Sequence, residues 1–387
     1  MAAFVPRSGE TWRNPWGMYA GLRRDDPVHH VAAGDYWVLS SYGDVAGAAR
    51  DTGTFSSAGG LTFTPSGGEA AVVGAFDPMV MQDPPRHTVF RRLVSRGFTP
   101  KQVVELEPQI RGFVVERVER LREAGGGDVV AELLKPLPSM LVAHYLGVPE
   151  EDRARFDGWT DAIVAATAEG DPLASADAAA EMIDYFTGLA ARRRKDPGED
   201  TVSQLARAGD DVEVLQILGF AFTMVTGGND TTTGLLGGAL DLLTRHRDQR
   251  AFLVADLTRV PDAVEELLRL TSPVQGLART TTRRVRLRGR RIPEGRRVLL
   301  LYAAANRDHD EFGPDADELR LDRGPQRILT FSHGAHHCLG AAAARLAARV
   351  TLEEVLARCP GFEVDGAAGC YAPGHYVRRF ESLPFRP

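Results

Sequence analysis

Phe331-Ser332-His333-Gly334-Ala335-His336-His337-Cys338-Leu339-Gly340 is the stretch on which the reading of this chain turns. A single cysteine lies in a turn between Gly334 and Gly340. Behind it, Ala341 to Arg349 carries apolar residues at helical spacing. A cysteine at a helix N-terminus is held as thiolate by the helix dipole and by free backbone N–H groups. Glycines on either side let the backbone come close to the sulfur without a Cβ clash. Two other readings compete. A lone cysteine before a helix is often an inert, small core residue. His333, His336, His337 and Cys338 could also form a zinc cluster. Zinc sites usually draw ligands from two separated pairs, and no second Cys or His pair stands at metal spacing.

The rest of the composition sets bounds. The chain has 387 residues, 43% hydrophobic and 25% charged, with a formal charge of −6. That is enough chain for a large core. The charge is too mild to imply nucleic acid or an anionic membrane as partner. No apolar run approaches the ~20 residues that cross a bilayer. Met1 to Pro15 shows no basic-then-apolar signal pattern. Cys338, Cys359 and Cys370 do not make a disulfide framework. A soluble, cytoplasmic protein is expected.

Organisation follows from the same reading. The first 60 or so residues read as β-rich, with runs such as Tyr36-Trp37-Val38-Leu39 between Pro and Gly. Residues 56–82 are rich in Gly, Ser and small apolar residues and read as a long loop, of the kind often used as a lid. From Pro84 to about Arg269 the pattern is helical. Short strands are expected within 274–300, at Arg284-Val285-Arg286-Leu287 and Arg297-Val298-Leu299. A polar meander spans Asn306 to Pro325. The cysteine loop, a helix to about Leu356 and a β-like tail follow. No Gly/Ser linker divides the chain, so one mainly α domain with a small β part is expected over 1–387, its helical body over 84–356.

Phe331, Gly334, His336, Cys338 and Gly340 together resemble the heme-binding signature of the cytochrome P-450 superfamily. A buried thiolate with N–H donors aimed at it suits a heme iron, and thiolate ligation favours O–O cleavage. Thr226-Gly227-Gly228-Asn229-Asp230-Thr231-Thr232-Thr233 lies inside an apolar segment, Val214 to Leu243. Gly pairs and threonines are poor helix formers. They suit either close helix packing or a helix that opens locally to free a carbonyl. The run resembles the superfamily's oxygen-binding groove at Gly227, Gly228, Asp230 and Thr231, where an acid followed by a hydroxyl can relay protons. Gly227 departs from the more usual alanine. Glu266 and Arg269, three apart on a helix, would alone be a solvated pair. The resemblance makes them internal and structural, bracing the meander.

Heme has two propionates, for which arginine is a good partner. His87 and Arg91, four apart, share a helix face. With Arg279 and His336, they stand where the resemblance implies propionate contacts. Stretches such as Val80-Met81-Gln82-Asp83-Pro84-Pro85 and Thr223-Met224-Val225-Thr226 look like the actinobacterial group catalogued as family 130. The fold so implied has a long central helix over heme and the cysteine loop beneath it. The implied activity is insertion of one oxygen atom of O2 into an apolar small molecule. Phe76, Val80, Thr223, Thr226 and Gln275 are expected to line the substrate pocket. The chain shows no dinucleotide or flavin fingerprint, so a ferredoxin and its reductase would supply electrons. A peroxygenase or isomerase, and a non-enzymatic heme sensor or carrier, remain as alternatives.

Overall fold

The computed structural model describes residues 3–63, 77–159, 162, 176–208 and 213–387. The N-terminal part is less β-rich than expected. Helix α1 (Trp16–Asp25) buries Tyr19 and Leu22 and carries Arg23 and Arg24 in its last turn, where cations favour the dipole. Strands β1 (Val28–Val31) and β2 (Tyr36–Leu39) pair antiparallel, and α2 (Tyr42–Arg50) follows. Helical spacing of Tyr19 and Leu22 was present in the sequence but was masked by the Gly and Pro around it.

Strand β3 (Phe55–Ser56), β4 (Leu277–Thr281) and β7 (Arg297–Leu300) complete a five-stranded sheet in the order β1-β2-β7-β4-β3. β5 (Val285–Leu287) and β6 (Arg290–Ile292) form a separate hairpin. β2 runs parallel to β7, with Tyr36 opposite Arg297 and Leu39 opposite Leu300. A parallel pair needs a long crossover. Here most of the helical body, as far as the helix Val260–Thr271, lies between the two strands in the chain.

That body contains α3 (Arg86–Val94), α4 (Glu107–Glu123), α5 (Pro136–Leu146), α6 (Val214–Arg245), α7 (Val260–Thr271) and α8 (Ala341–Arg358). The 32-residue α6 packs against α5, α7 and α8. A Cβ at Gly238 would stand 2.8 Å from the Thr271 side chain, so glycine there lets α7 approach the α6 backbone. The expected local opening of this helix is not seen: α6 is unbroken through residues 226–233. The tail forms short strands at Glu363–Val364, Cys370–Tyr371, Phe380–Ser382 and Pro384–Arg386. Among the described residues no helix is long and apolar enough to cross a membrane.

The meander is fastened from α7. Glu266 and Arg269 are both 0% exposed and 2.7 Å apart. Arg269 also donates to the carbonyls of Asn306 and Ala316. Glu266 accepts from the Arg320 N–H and from Arg323. The Asn306 amide donates to Ser272 and Thr330 and accepts from the Leu329 N–H. This buried network fixes the backbone that enters the cysteine loop.

Candidate active site

Local turns shape the cysteine loop. The Cys338 N–H donates to the Phe331 carbonyl at 2.9 Å, and the His337 N–H to Gly334 at 3.1 Å. Gly334 has φ +72°, and a Cβ there would lie 3.0 Å from the Ala49 carbonyl and the Arg50 Cα. Only glycine lets α2 pack this close to the loop. Gly340 caps α8, and its N–H reaches the Cys338 sulfur. The Arg345 guanidinium lies 4.6 Å from the centre of the Phe331 ring and pairs with Glu265. Burial pushes the Cys338 thiol up, while the Gly340 N–H, Arg91 and Arg345 pull it down. Cys338 is nevertheless accessible to solvent.

The neighbouring histidines diverge. His333 meets Arg50, His336 meets Ser57 at 3.2 Å, and the His337 ring lies against Phe331. They do not converge on Cys338 as a zinc set would.

His87 is 1% exposed, and neither of its ring nitrogens has a partner. Its ring lies 4.2 Å from that of His336. Burial first, then Arg279, His87 and Arg91, push His336 down to about 3. Arg279 is buried and donates to the Ala278 carbonyl. Asp83, the nearby acid, is held by Ser56 and by the Ser57 N–H. Among the described residues no carboxylate pairs with these four basic groups. Buried polar groups without partners are costly. A buried basic cluster with orphaned nitrogens and no counter-ion fits a dicarboxylate such as heme. Arg91 differs in detail from expectation. It donates to the carbonyls of Ala335 and His337, so in this structure it braces the cysteine loop.

On α6, Gly227 is exposed although it lies mid-helix, and a Cβ there would meet nothing within 4 Å. Gly228 faces the other way, where a Cβ would come within 2.7 Å of Val142. One glycine gives space and the other gives packing. Thr223, Thr226 and Thr231 donate to the carbonyls four residues back, Gly219, Phe222 and Gly227. Asp230 pairs with Arg379 at 2.8 Å. Burial pushes the Asp230 carboxyl above the usual range, and Arg379 opposes the shift.

Val80 lies half-buried in the single turn Met79–Met81, which packs against α6. Phe76 lies outside the described residues. Gln275 departs from its expected pocket role. It is 2% exposed, accepts from the Tyr19 hydroxyl at 3.0 Å and donates to the Ser272 carbonyl. With both ends of its amide engaged, it braces α1 against the sheet. Sequence reasoning missed Arg379, Ser57 and Arg345. Each meets its partner only through the tertiary fold, and an arginine in so Arg-rich a chain carries no local signal.

A cysteine at the start of α8 beside a buried basic cluster suits the binding of a dicarboxylate heme. The chain belongs to the cytochrome P450 family, whose members bind heme, and it is a monooxygenase. The Cytochrome P450 family model matches residues 205–365. The chain is 61% identical to Cytochrome P450 130 of Mycobacterium tuberculosis, over 99% of this chain and 97% of that protein. It is 32% identical to Mycobacterium marinum CYP268A2 in complex with pseudoionone, with TM-score 0.88, over 97% and 96% of the two chains. Against Bacillus megaterium CYP109E1 in complex with testosterone, identity is 29% and TM-score 0.86, over 96% and 99%.

Proposed function

We propose that this monooxygenase oxidises a medium-sized apolar molecule, such as a lipid, terpenoid or aromatic metabolite. Its electrons come from a ferredoxin and reductase in the cytoplasm. The observation that carries the substrate class is the open face of α6 at Gly227, on the helix against which the Met79–Met81 turn packs. The hydroxyl donors of Thr223 and Thr226 are spent on their own helix, which leaves a mostly apolar wall of the kind small-molecule pockets have. Pseudoionone and testosterone, named with the two solved relatives, are of that class. Three unpaired cysteines suit a reducing compartment.

Cys338 would hold the heme iron through its sulfur, with Phe331 and Gly340 shaping its loop. His87, Arg91, Arg279 and His336 are assigned to the propionates. Thiolate-ligated heme, when bound, supplies O2 activation and oxygen insertion. The chain's own part is to place and move protons. Thr231 keeps its hydroxyl proton on the Gly227 carbonyl and can turn it outward. Asp230 sits next to it in sequence and is held by Arg379.

Thr231→Ala is expected to keep heme and azole binding but to divert electrons to hydrogen peroxide. A lost acid–base step costs ~10²–10⁴-fold in rate. The check is product formed per NADPH consumed, and unchanged coupling would remove Thr231 from the relay. Arg379→Gln has a signed outcome. Arg379 lowers the Asp230 pKa against the effect of burial. Without it that pKa rises, so the carboxylate is lost at a higher pH. The acidic limb of coupling against pH should move upward, and a profile that stays in place counts against the pairing as control.

Azoles whose nitrogen ligates iron are expected to bind tightly. Phe76→Ala and Val80→Ala should each shift azole affinity more than Leu240→Ala, a fully buried position farther along α6. Equal effects would take the Met79–Met81 segment out of the pocket wall. A peroxygenase or isomerase is separated by turnover with peroxide alone or without reductant.

A further inference from the structure

The turn Met79–Met81 sits inside a closed ring of hydrogen bonds that begins at Asp77. Asp77 has φ +42°, in the left-handed region, and it precedes Pro78, a place that favours extended backbone. A residue other than glycine stays there only where its surroundings over-determine it, and such residues gather at ligand clamps. Here the Gln82 side chain supplies the hold. Its Nε2 donates to the Asp77 carboxylate and to the Asp77 carbonyl, both at 2.8 Å. Inside the ring, the Met81 N–H donates to the Pro78 carbonyl and the Gln82 N–H to that of Met79.

Gln82 is 4% exposed, and its Oε1 has no partner among the described residues. Leaving a buried oxygen unpaired is costly, so what this amide contributes is its N–H2 end. Arg86 also pairs with Asp77, but its side chain is 65% exposed. A pair so open to water contributes little. Gln82, not Arg86, is therefore the half of the clasp that matters.

The downstream end of the ring is anchored independently. Asp83 bonds Ser56 and the Ser57 N–H, and its carbonyl accepts from the His87 N–H. Losing the Asp77 bonds frees the upstream end of the turn and leaves the basic cluster around His87 in place. Between the two ends the side chains divide. Pro78 and Met79 are buried, Met79 in the main core, whereas Val80 and Met81 are half-buried.

We propose that Asp77 is a positioning residue for the pocket wall: bonded to Gln82, it holds the Met79–Met81 turn in its ligand-binding shape before a ligand arrives. This rests on the reading that Val80 lines the pocket. A wall fixed in advance spares the ligand the ordering of that wall, and the gain appears mostly as slower release.

The test titrates heme-loaded protein with two probes, followed by heme absorbance. Clotrimazole, a triarylmethyl imidazole, is large enough to reach the wall, and imidazole itself is too small. Asp77→Ala and Gln82→Ala are expected to weaken clotrimazole about tenfold, through faster release, and to leave imidazole unchanged. Asp77→Asn keeps an acceptor for Gln82 and tolerates positive φ, so it should bind like the wild type. Asp77→Gly relieves the backbone but loses the carboxylate, and it should follow Asp77→Ala. Arg86→Gln should change little. Unchanged clotrimazole binding in Asp77→Ala or in Gln82→Ala overturns the proposal. So does an equal loss for imidazole, which places the damage at the heme and not at the wall. Wild-type binding by Asp77→Gly overturns it too, because backbone strain and not the clasp would then be the cause. Val80→Ala tests the parent reading separately. If Val80→Ala leaves clotrimazole unchanged, that reading falls and the proposal with it. If Val80→Ala weakens clotrimazole while Asp77→Ala does not, the proposal alone falls.

Discussion

Cys338→Ser is expected to lose the red-shifted Soret band expected of the reduced, carbon monoxide-bound protein, whereas Cys359→Ser and Cys370→Ser should keep it. The expectation follows from position. Only Cys338 sits in a loop closed by its own N–H on Phe331, with the Gly340 N–H at its sulfur. Cys359 is buried at the far end of α8, and Cys370 is exposed on a tail strand. A serine hydroxyl stays protonated where a thiol can ionise, so it cannot donate electron density to iron as thiolate does. The effect is loss of the thiolate spectrum and of oxygen insertion, not a graded decline. A normal band in Cys338→Ser would sink the assignment of the whole loop.

Glu266→Gln is expected to yield little heme-loaded protein. The change leaves Arg269, itself fully buried, facing Arg323 with no carboxylate between them. Breaking a buried pair by removing one partner typically costs ~3–5 kcal/mol, because the remaining charge stays out of water. The damage should spread through Asn306 to Leu329 and Thr330, the residues that lead into the cysteine loop. A change to the exposed pair Glu116 and Arg120 on α4, 2.7 Å apart, is the contrast and should do almost nothing. Thermal unfolding and heme content of the two variants measure the difference. If Glu266→Gln loads heme like its parent, the carbonyls around Arg269 suffice to hold it.

These two cases mark where sequence reading succeeds and where it stops. The signature around Cys338 was legible because every part of it is local: the turn, the glycines and the helix that follows lie within a dozen or so residues. The central helix was legible from its apolar length. Glu266 and Arg269 alone were not, since spacing of three on a helix is the same for a surface pair and a buried one. Their burial is decided by a meander some 40 residues downstream, at Asn306 and Ala316.

Glycines show the same division. Gly227 and Gly228 are neighbours with identical local chemistry. The helix turns one toward open space and the other against Val142. Gln275 was misread because four residues from Arg279 on a strand says nothing about where the side chain ends, and Tyr19 captures it from α1.

By itself the sequence marked the glycine-flanked cysteine loop and the mainly α body, while the roles proposed for Asp230, Thr231 and the basic residues His87, Arg91, Arg279 and His336 came from resemblance to the cytochrome P-450 superfamily. Local spacing and backbone chemistry are enough for the loop and the helical body. Only the tertiary structure decided which cation holds Asp230 and which face of the central helix stays open. Those depend on distances between segments far apart in the chain, where packing and desolvation set the outcome and no local pattern records it.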